Sequence, residues 1–188
     1  TVLLIPVTII IYFARKFSKE EQGPLFYEQL RYGKNGKIFR LYKYRSMCIG
    51  ADEKLKEYLA NNEEARKEFK KTHKLQNDPR ITKIGNFLRK TSLDELPQMI
   101  NILKGDMSFV GPRPVVEKEV EEYGENKERF LSVKPGLTGY WQVNGRSNTT
   151  FEERMKMELY YVDNCSLWLD IKIFFKTFIT VFKKEGAV

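Results

Sequence analysis

The chain has 188 residues and carries 33 Lys and Arg against 25 Asp and Glu, a formal charge of +8. That length allows one sizeable core, and the basic balance points to an anionic partner: nucleic acid, an acidic membrane surface or a phosphorylated small molecule. Two cysteines, Cys48 and Cys165, and a single histidine, His73, exclude a disulfide framework and a multi-histidine metal site, and fit a reducing, cytosol-facing compartment.

Residues 1–13 are almost wholly apolar, and Arg15, Lys16 and Lys19 follow them. At about 1.5 Å per residue this run reaches about 20 Å of a ~30 Å hydrocarbon core. Three readings fit: the stump of a spanning helix, a buried core helix, or a segment that enters a bilayer and returns to the same face. Pro6 predicts a kink near the start, which suits the re-entrant case, and the basic residues suit a cytoplasmic side. The order of apolar then basic residues is the reverse of a secretory signal. Because the chain opens on Thr1 in mid-run, a fragment of a longer protein is expected.

Gly23-Pro24 ends that element. Residues 25–27 and 37–47 are rich in aromatic and β-branched types, and Asn35-Gly36 between them predicts a β-hairpin with Lys43 and Arg45 on one face. Residues 51–74 are highly charged, with Leu55, Tyr58, Leu59 and Phe69 on a narrow stripe, and predict a solvated helical excursion. Asn77-Asp78-Pro79 reads as a turn. Ile81, Ile84, Phe87 and Leu88 recur at helical spacing on a helix that carries Arg89 and Lys90 at its far end.

Residues 91–98, Thr-Ser-Leu-Asp-Glu-Leu-Pro-Gln, put two adjacent carboxylates before a helix. With Asp94 as N-cap, Pro97 falls at the third helical position and the helix runs over 98–103, closed by Lys104-Gly105. There the unpaired N–H groups and the dipole would keep Asp94 ionised, as a nucleophile or a metal ligand. A cap alone would explain a lone Asp. The cations around it, Arg89, Lys90 and the Arg113 of Gly111-Pro112-Arg113-Pro114, point instead to a phosphate substrate with a bridging metal. Prolines on both sides of Arg113 restrict its backbone and suit a bidentate phosphate grip, although a surface Arg in a Pro-rich loop has the same sequence.

Residues 115–129 predict a charged helix, and 134–141 predict turns around an aromatic step. Tyr140 and Trp141 suit either a base stack or a core. Asn144-Gly145-Arg146 supplies a second glycine-preceded arginine. Ser166 caps a last helix with a wide face of Leu167, Ile171, Phe174, Phe175, Phe178, Val181 and Phe182, and with Lys172, Lys176, Lys183 and Lys184 toward the other side. That pattern fits a helix lying in a membrane interface, or equally a core-packing terminal helix. No internal repeat, Gly-x-Gly-x-x-Gly or P-loop occurs.

Lys43-Tyr44-Arg45-Ser46-Met47, Asn77-Asp78-Pro79-Arg80, the run from Arg89 to Gln98, Lys104-Gly105-Asp106-Met107-Ser108 and Gly111-Pro112-Arg113-Pro114 together resemble the bacterial sugar transferases, the monotopic phosphoglycosyl transferases. Pro135-Gly136-Leu137-Thr138-Gly139, residues 141–146 and Tyr160-Tyr161-Val162 continue the likeness, in order, over nearly the whole chain. The nearest subgroup is the catalytic domain of undecaprenyl-phosphate galactose or glucose phosphotransferases.

The resemblance implies transfer of a sugar 1-phosphate from a UDP-sugar to undecaprenyl phosphate, with Mg²⁺ and release of UMP, in the first membrane step of polysaccharide or glycoconjugate synthesis. It implies Asp94 as nucleophile and Glu95 as its acidic partner, both at the metal. Arg113 and Arg146 would hold the nucleotide-sugar phosphates, and Arg89 would face the lipid phosphate. Glu158 stands where the family usually has Asp and is carried as a substrate-binding residue. Ile5-Pro6 stands where the family often has Ser-Pro.

The expected fold is α+β: a mostly helical membrane-associated domain with a small β-hairpin, a re-entrant helix over 1–16, a cytoplasmic catalytic domain over 17–188 and amphipathic interfacial helices. The expected location is the cytoplasmic face of a bacterial inner membrane, without nucleic acid, and with a homo-oligomer left open. A basic nucleic-acid-binding module would explain the charge and aromatics, but not the apolar start or the acid pair. A catalytically dead membrane scaffold would not need Asp94, Glu95, Arg113 and Arg146 together.

Overall fold

The computed structural model describes residues 4–18, 20, 23–72, 75–145 and 149–182. His73, Lys19, Arg146, Lys183 and Lys184 lie outside the described residues. Among the described residues helices dominate and two small two-stranded sheets accompany them, so the α+β expectation holds. Strands β1 (Phe26–Tyr32) and β2 (Ile38–Tyr44) form the antiparallel hairpin predicted from Asn35-Gly36. Both turn residues take the left-handed conformation, Asn35 at φ 56° and Gly36 at φ 76°, which is why this dipeptide is favoured there. The chain divides into two compact units, Thr1–Tyr27 with Tyr44–Asp94, and Glu28–Lys43 with Glu95–Ala187.

In the first unit, α1 (Leu4–Lys16) runs unbroken through Pro6, so the described residues do not contain the expected kink. Pro6 falls in the first described turn of α1. Ile11 and Arg15 are buried, whereas Ile5, Ile9, Ile10, Tyr12 and Phe13 are exposed. Thr8 shares a 2.5 Å hydrogen bond with the hydroxyl of the buried Tyr44. Arg15 donates to the carbonyls of Gly23 and Leu25 at 3.0 and 3.1 Å and so ties down the chain that follows α1. No described helix is long and apolar enough to cross a membrane.

The charged excursion is two helices, α2 (Ala51–Asn61) and α3 (Glu63–Thr72). They break at Asn62, whose side chain caps α3 by accepting from Ala65 N–H at 3.0 Å. Helix α4 (Lys83–Lys90) is capped by Thr82, which accepts from Gly85 N–H at 2.9 Å. Gly85 meets the backbone of Ser46 so closely that a Cβ there would lie 1.9 Å from the Ser46 carbonyl oxygen. A bridge between Met47 and Ile81 closes the same contact.

In the second unit, helix α5 (Gln98–Leu103) leads into β3 (Ser108–Val110), which pairs in parallel with β4 (Gly136–Thr138). This ladder was not foreseen. It exists because the chains approach backbone to backbone at glycines: a Cβ on Gly111 would lie 2.4 Å from the Lys134 oxygen, and one on Gly136 2.1 Å from Gly111 N. The charged helix expected over 115–129 is three pieces: α6 (Glu117–Glu121), a 3-10 turn at Gly124–Asn126 and α7 (Lys127–Leu131). Gly124, at φ 51°, interrupts it, and the breaks turn Val120, Tyr123, Phe130 and Leu131 into one core with Val115 and Leu159.

The turns expected at 134–141 are instead β4 followed by α8 (Tyr140–Asn144). Helix α9 (Phe151–Asn164) starts at a Thr150–Glu153 capping box. Helix α10 (Leu167–Phe182) starts after Ser166, as predicted, with the Ser166 hydroxyl accepting from Leu169 N–H. Its buried residues are Ile173 and Thr180, while the predicted apolar face of Leu167, Ile171, Phe174, Phe175 and Phe178 is exposed, with Trp168 and Ile179. The side chains of Val181 and Phe182 lie outside the described residues.

Candidate functional site

The acid pair sits in a 3-10 turn, Leu93–Glu95, and not on a helix N-terminus. Pro97 is the N-cap of α5, so Asp94 is not the cap that the sequence suggested. Two local effects move it. Helix α4 ends in a left-handed Ser92 at φ 56°, with its N–H bonded to the Arg89 carbonyl, which reverses the chain. Proline at 97 then disfavours helical geometry at Leu96. Helix α5 has only six residues, so the dipole argument for Asp94 lapses.

Within the first unit, Arg89 interacts electrostatically with Asp94 and donates from Nε to the Ser46 hydroxyl at 2.9 Å. Burial pulls the Arg89 pKa down while Asp94 and Asp78 oppose it; guanidinium keeps its charge regardless. Nearby, Asp78 holds Arg80 through a fork of hydrogen bonds, the shortest 2.6 Å. Burial pushes the Asp78 carboxyl up, but the Arg80 bonds outweigh it and hold it below its usual range.

Within the second unit, Glu95 opens onto a small cleft lined by Arg31, Lys43, Gln98, Arg113, Leu137 and Gln142, among others. Lys43 reaches Glu95 from β2 at 2.7 Å. Burial would raise the Glu95 pKa, yet the charges of Lys43 and Arg113 and the hydrogen bonds from Lys43 and Gln98 hold it below the usual carboxylate value. Lys43 pairs with Glu95 and Arg31 with Glu119 at 3.2 Å, so Arg113 supplies the positive charge left over in this cleft, which suits an added anion.

The neighbours are fixed by buried groups. Asn101, fully buried, donates to Arg40 O at 2.7 Å and accepts from Tyr42 N–H at 3.1 Å, which holds α5 against β2 and so Glu95 against Lys43. Arg113 sits between its two prolines on a loop held by Gly136 N–H to Pro112 O at 2.8 Å and Gly111 N–H to Thr138 O at 2.9 Å. Among the described residues, no carboxylate lies within ion-pair distance of its guanidinium. Glu158 is buried, 1% exposed, and receives the Arg113 N–H at 3.1 Å.

The predicted residues thus fall as follows. Arg89 and Asp94 lie together in the first unit. Glu95 and Arg113 share the cleft in the second, and Glu158 touches Arg113 only through the main chain. Arg31 was not singled out from the sequence, Gln98 and Gln142 entered only inside the runs that carry the resemblance, and Lys43 entered as a strand-face residue and the first of such a run. A signal did exist for Gln98: it and Asn101 are the two polar residues, three apart, of an otherwise apolar helix, and both are buried.

Among the described residues there is no cluster of three or more His, Cys, Asp or Glu able to hold a metal ion. The carboxylates that the sequence resemblance assigns to a metal are Asp94, in the first unit, and Glu95, in the second. That pair fits Mg²⁺, which takes one or two carboxylates and completes its shell with water and phosphate oxygens.

The family model described as bacterial sugar transferase matches residues 1–184. The chain is 49% identical to the undecaprenyl-phosphate galactose phosphotransferase of Salmonella typhimurium, over 99% of this chain and 39% of that protein. It is 42% identical to the UDP-glucose:undecaprenyl-phosphate glucose-1-phosphate transferase of Escherichia coli, over 96% of this chain and 36% of that protein. It is 45% identical to an exopolysaccharide production protein of Rhizobium meliloti, over 98% of this chain and 81% of that protein. The chain spans about two fifths of the length of the Salmonella relative (39%) and similar relatives.

Proposed function

The chain belongs to the bacterial sugar transferase family, and on that premise we propose that it transfers a sugar 1-phosphate from a UDP-sugar to undecaprenyl phosphate and releases UMP. The reaction belongs to the first membrane step of polysaccharide or glycoconjugate synthesis. The observation that carries the reading is an ionised Glu95 among Lys43, Arg31 and Arg113, next in the chain to Asp94. A nucleoside diphosphate sugar brings the anion for which such a cleft has spare positive charge.

In the first half-reaction an Asp94 carboxylate oxygen attacks the β-phosphorus. The bond from that phosphorus to the bridging oxygen breaks, and UMP leaves. The sugar 1-phosphate stays on Asp94 as an acyl phosphate. In the second, an oxygen of undecaprenyl phosphate attacks the same phosphorus and Asp94 is released as a carboxylate. Arg113 grips the donor phosphates through its fork, with Arg146 assigned the same task, and Arg89 faces the lipid phosphate. Mg²⁺, held by Asp94 and Glu95, would neutralise phosphate oxygens and make phosphorus more electrophilic. Two half-reactions let a soluble donor and a lipid acceptor use the site in turn.

The reading extends to the cytoplasmic face of a bacterial inner membrane, with residues 1–16 as a re-entrant membrane helix and 17–188 as the catalytic domain. The exposed apolar residues of α1 and α10 support it. The test omits the lipid. Enzyme mixed with a UDP-sugar should release up to one UMP per active site and add the mass of a phospho-sugar to the peptide that contains Asp94, and Asp94→Asn should do neither. UMP release only in the presence of undecaprenyl phosphate, with no trapped adduct, would favour direct transfer.

A further inference from the structure

We infer that Glu158 is a positioning residue for Arg113, acting through the main chain, and not a ligand of the substrate. The inference rests on the proposed role of Arg113 as the grip on the donor phosphates.

Glu158 lies in the middle of α9 and is 1% exposed. Both carboxylate oxygens have partners. Oε1 accepts from Arg113 N–H at 3.1 Å and from Arg154 Nε at 3.4 Å, and Oε2 accepts a short hydrogen bond from the Tyr123 hydroxyl. Burial and the Glu158 charge push the Tyr123 pKa far up, so Tyr123 stays a donor. A group so enclosed does not reach a soluble donor.

The frame extends beyond Glu158. Arg154, also buried, donates through Nη1 to Glu119 Oε1 at 3.2 Å. Glu119 Oε2 accepts from Arg31 Nη1 at 3.2 Å and from Val116 N–H at 3.1 Å. Arg31 Nη1 donates in turn to Pro114 O at 3.1 Å. Three main-chain groups of one four-residue stretch, the N–H of 113, the carbonyl of 114 and the N–H of 116, are thus each bonded to a member of one network that is buried except at Glu119, 28% exposed. The network contains two guanidiniums and two carboxylates, so it is internally neutral and leaves the charge of Arg113 over for a ligand. A buried ionic network adds little net stability over an apolar core, but it fixes geometry because each misplaced partner is left desolvated. Rigid presentation of Arg113 is the consequence that matters, since small displacements of a phosphate grip cost large rate factors.

The experiment is a double-mutant cycle on kcat/KM for the UDP-sugar, joined to NMR amide exchange at Arg113, the only amide in Pro112-Arg113-Pro114. Glu158→Gln keeps the volume but removes the charge. Alone it should lower kcat/KM about 10- to 100-fold, and in an Arg113→Ala background less than about threefold, because the residue it positions is gone. It should speed exchange at Arg113 at least tenfold and leave the Gly111 amide, which bonds to Thr138 O, unchanged. Equal losses in both backgrounds, or unchanged Arg113 exchange, would overturn the inference. If Glu158→Gln does not fold, Tyr123→Phe removes one of the same bonds and carries the same cycle. If the wild type neither binds a UDP-sugar nor releases UMP, the functional reading fails, and amide exchange alone still decides the geometric one.

Discussion

Replacing Lys43 with Met tests whether the cleft holds Glu95 ionised by direct pairing. Met keeps much of the stem volume and deletes the ammonium, 2.7 Å from Glu95 Oε1. The two side chains are 21% and 32% exposed, so solvent screens the pair only in part. A charge-assisted hydrogen bond contributes about 1.5–3 kcal/mol when well buried, and an exposed ion pair about 0–1. An intermediate loss of about 1–2 kcal/mol at neutral pH follows, or about 2–8 °C in Tm for a chain of this size. The sign with pH is fixed by Glu95. Its folded pKa lies below the usual value of 4.5, so its contribution is fully present above that value and is lost as pH falls through the depressed folded value. Wild type and Lys43→Met should differ at pH 7 and converge in acid. Thermal or urea unfolding across that range is the assay. A gap that stays constant or widens in acid would refute the pairing, as would no gap at pH 7.

Asn101→Leu should cost about 2–4 kcal/mol in urea unfolding, because Tyr42 N–H and Arg40 O lose their partner beneath a fully buried side chain; an effect under about 0.5 would mean that water replaces it. Gly85→Ala should destabilise by more than about 2 kcal/mol, since its Cβ would meet a backbone oxygen at 1.9 Å and force α4 away from Ser46; a neutral result would show that the approach relaxes freely. Arg113→Lys restores the charge but not the fork, so kcat/KM should stay about 30- to 1000-fold below wild type; near-normal turnover would remove Arg113 from the phosphate grip. Phe175→Ser with Phe178→Ser should lower partition into anionic vesicles at least tenfold with little change in Tm, because both rings are exposed on α10; unchanged partition would separate α10 from the membrane.

Much of this protein is legible in local sequence. Asn35-Gly36 determines the hairpin because few other dipeptides adopt two left-handed residues in succession. Ser166 was read as a helix start, and Thr82 and Thr150, which were not singled out, cap in the same way, because a capping hydroxyl acts on an amide three residues away whatever the rest of the chain does. The acid pair and Arg113 stand out as motif residues for the same reason: their chemistry is carried by residue type and near neighbours. What local pattern could not decide is where an unfavourable local choice is outweighed by distant contacts. Residues 115–129 have a helix-forming composition apart from Gly124, where the chain breaks at φ 51°; which side chains that break brings together, Val120, Tyr123 and Phe130 with Leu159 of α9, is decided only by the fold. The short ladder of β3 and β4 needs glycines 25 residues apart, at 111 and 136, to meet in space. The wide apolar face of helix α10 does not say by itself whether it packs inward; only the partners at β3, β4 and α8 bury Ile173 and leave the phenylalanines out. Glu158 has the plainest lesson. In the sequence it is one acid on a charged helix, and its role appears only when folding brings Tyr123, Arg154 and the Arg113 amide to a carboxylate that water no longer reaches.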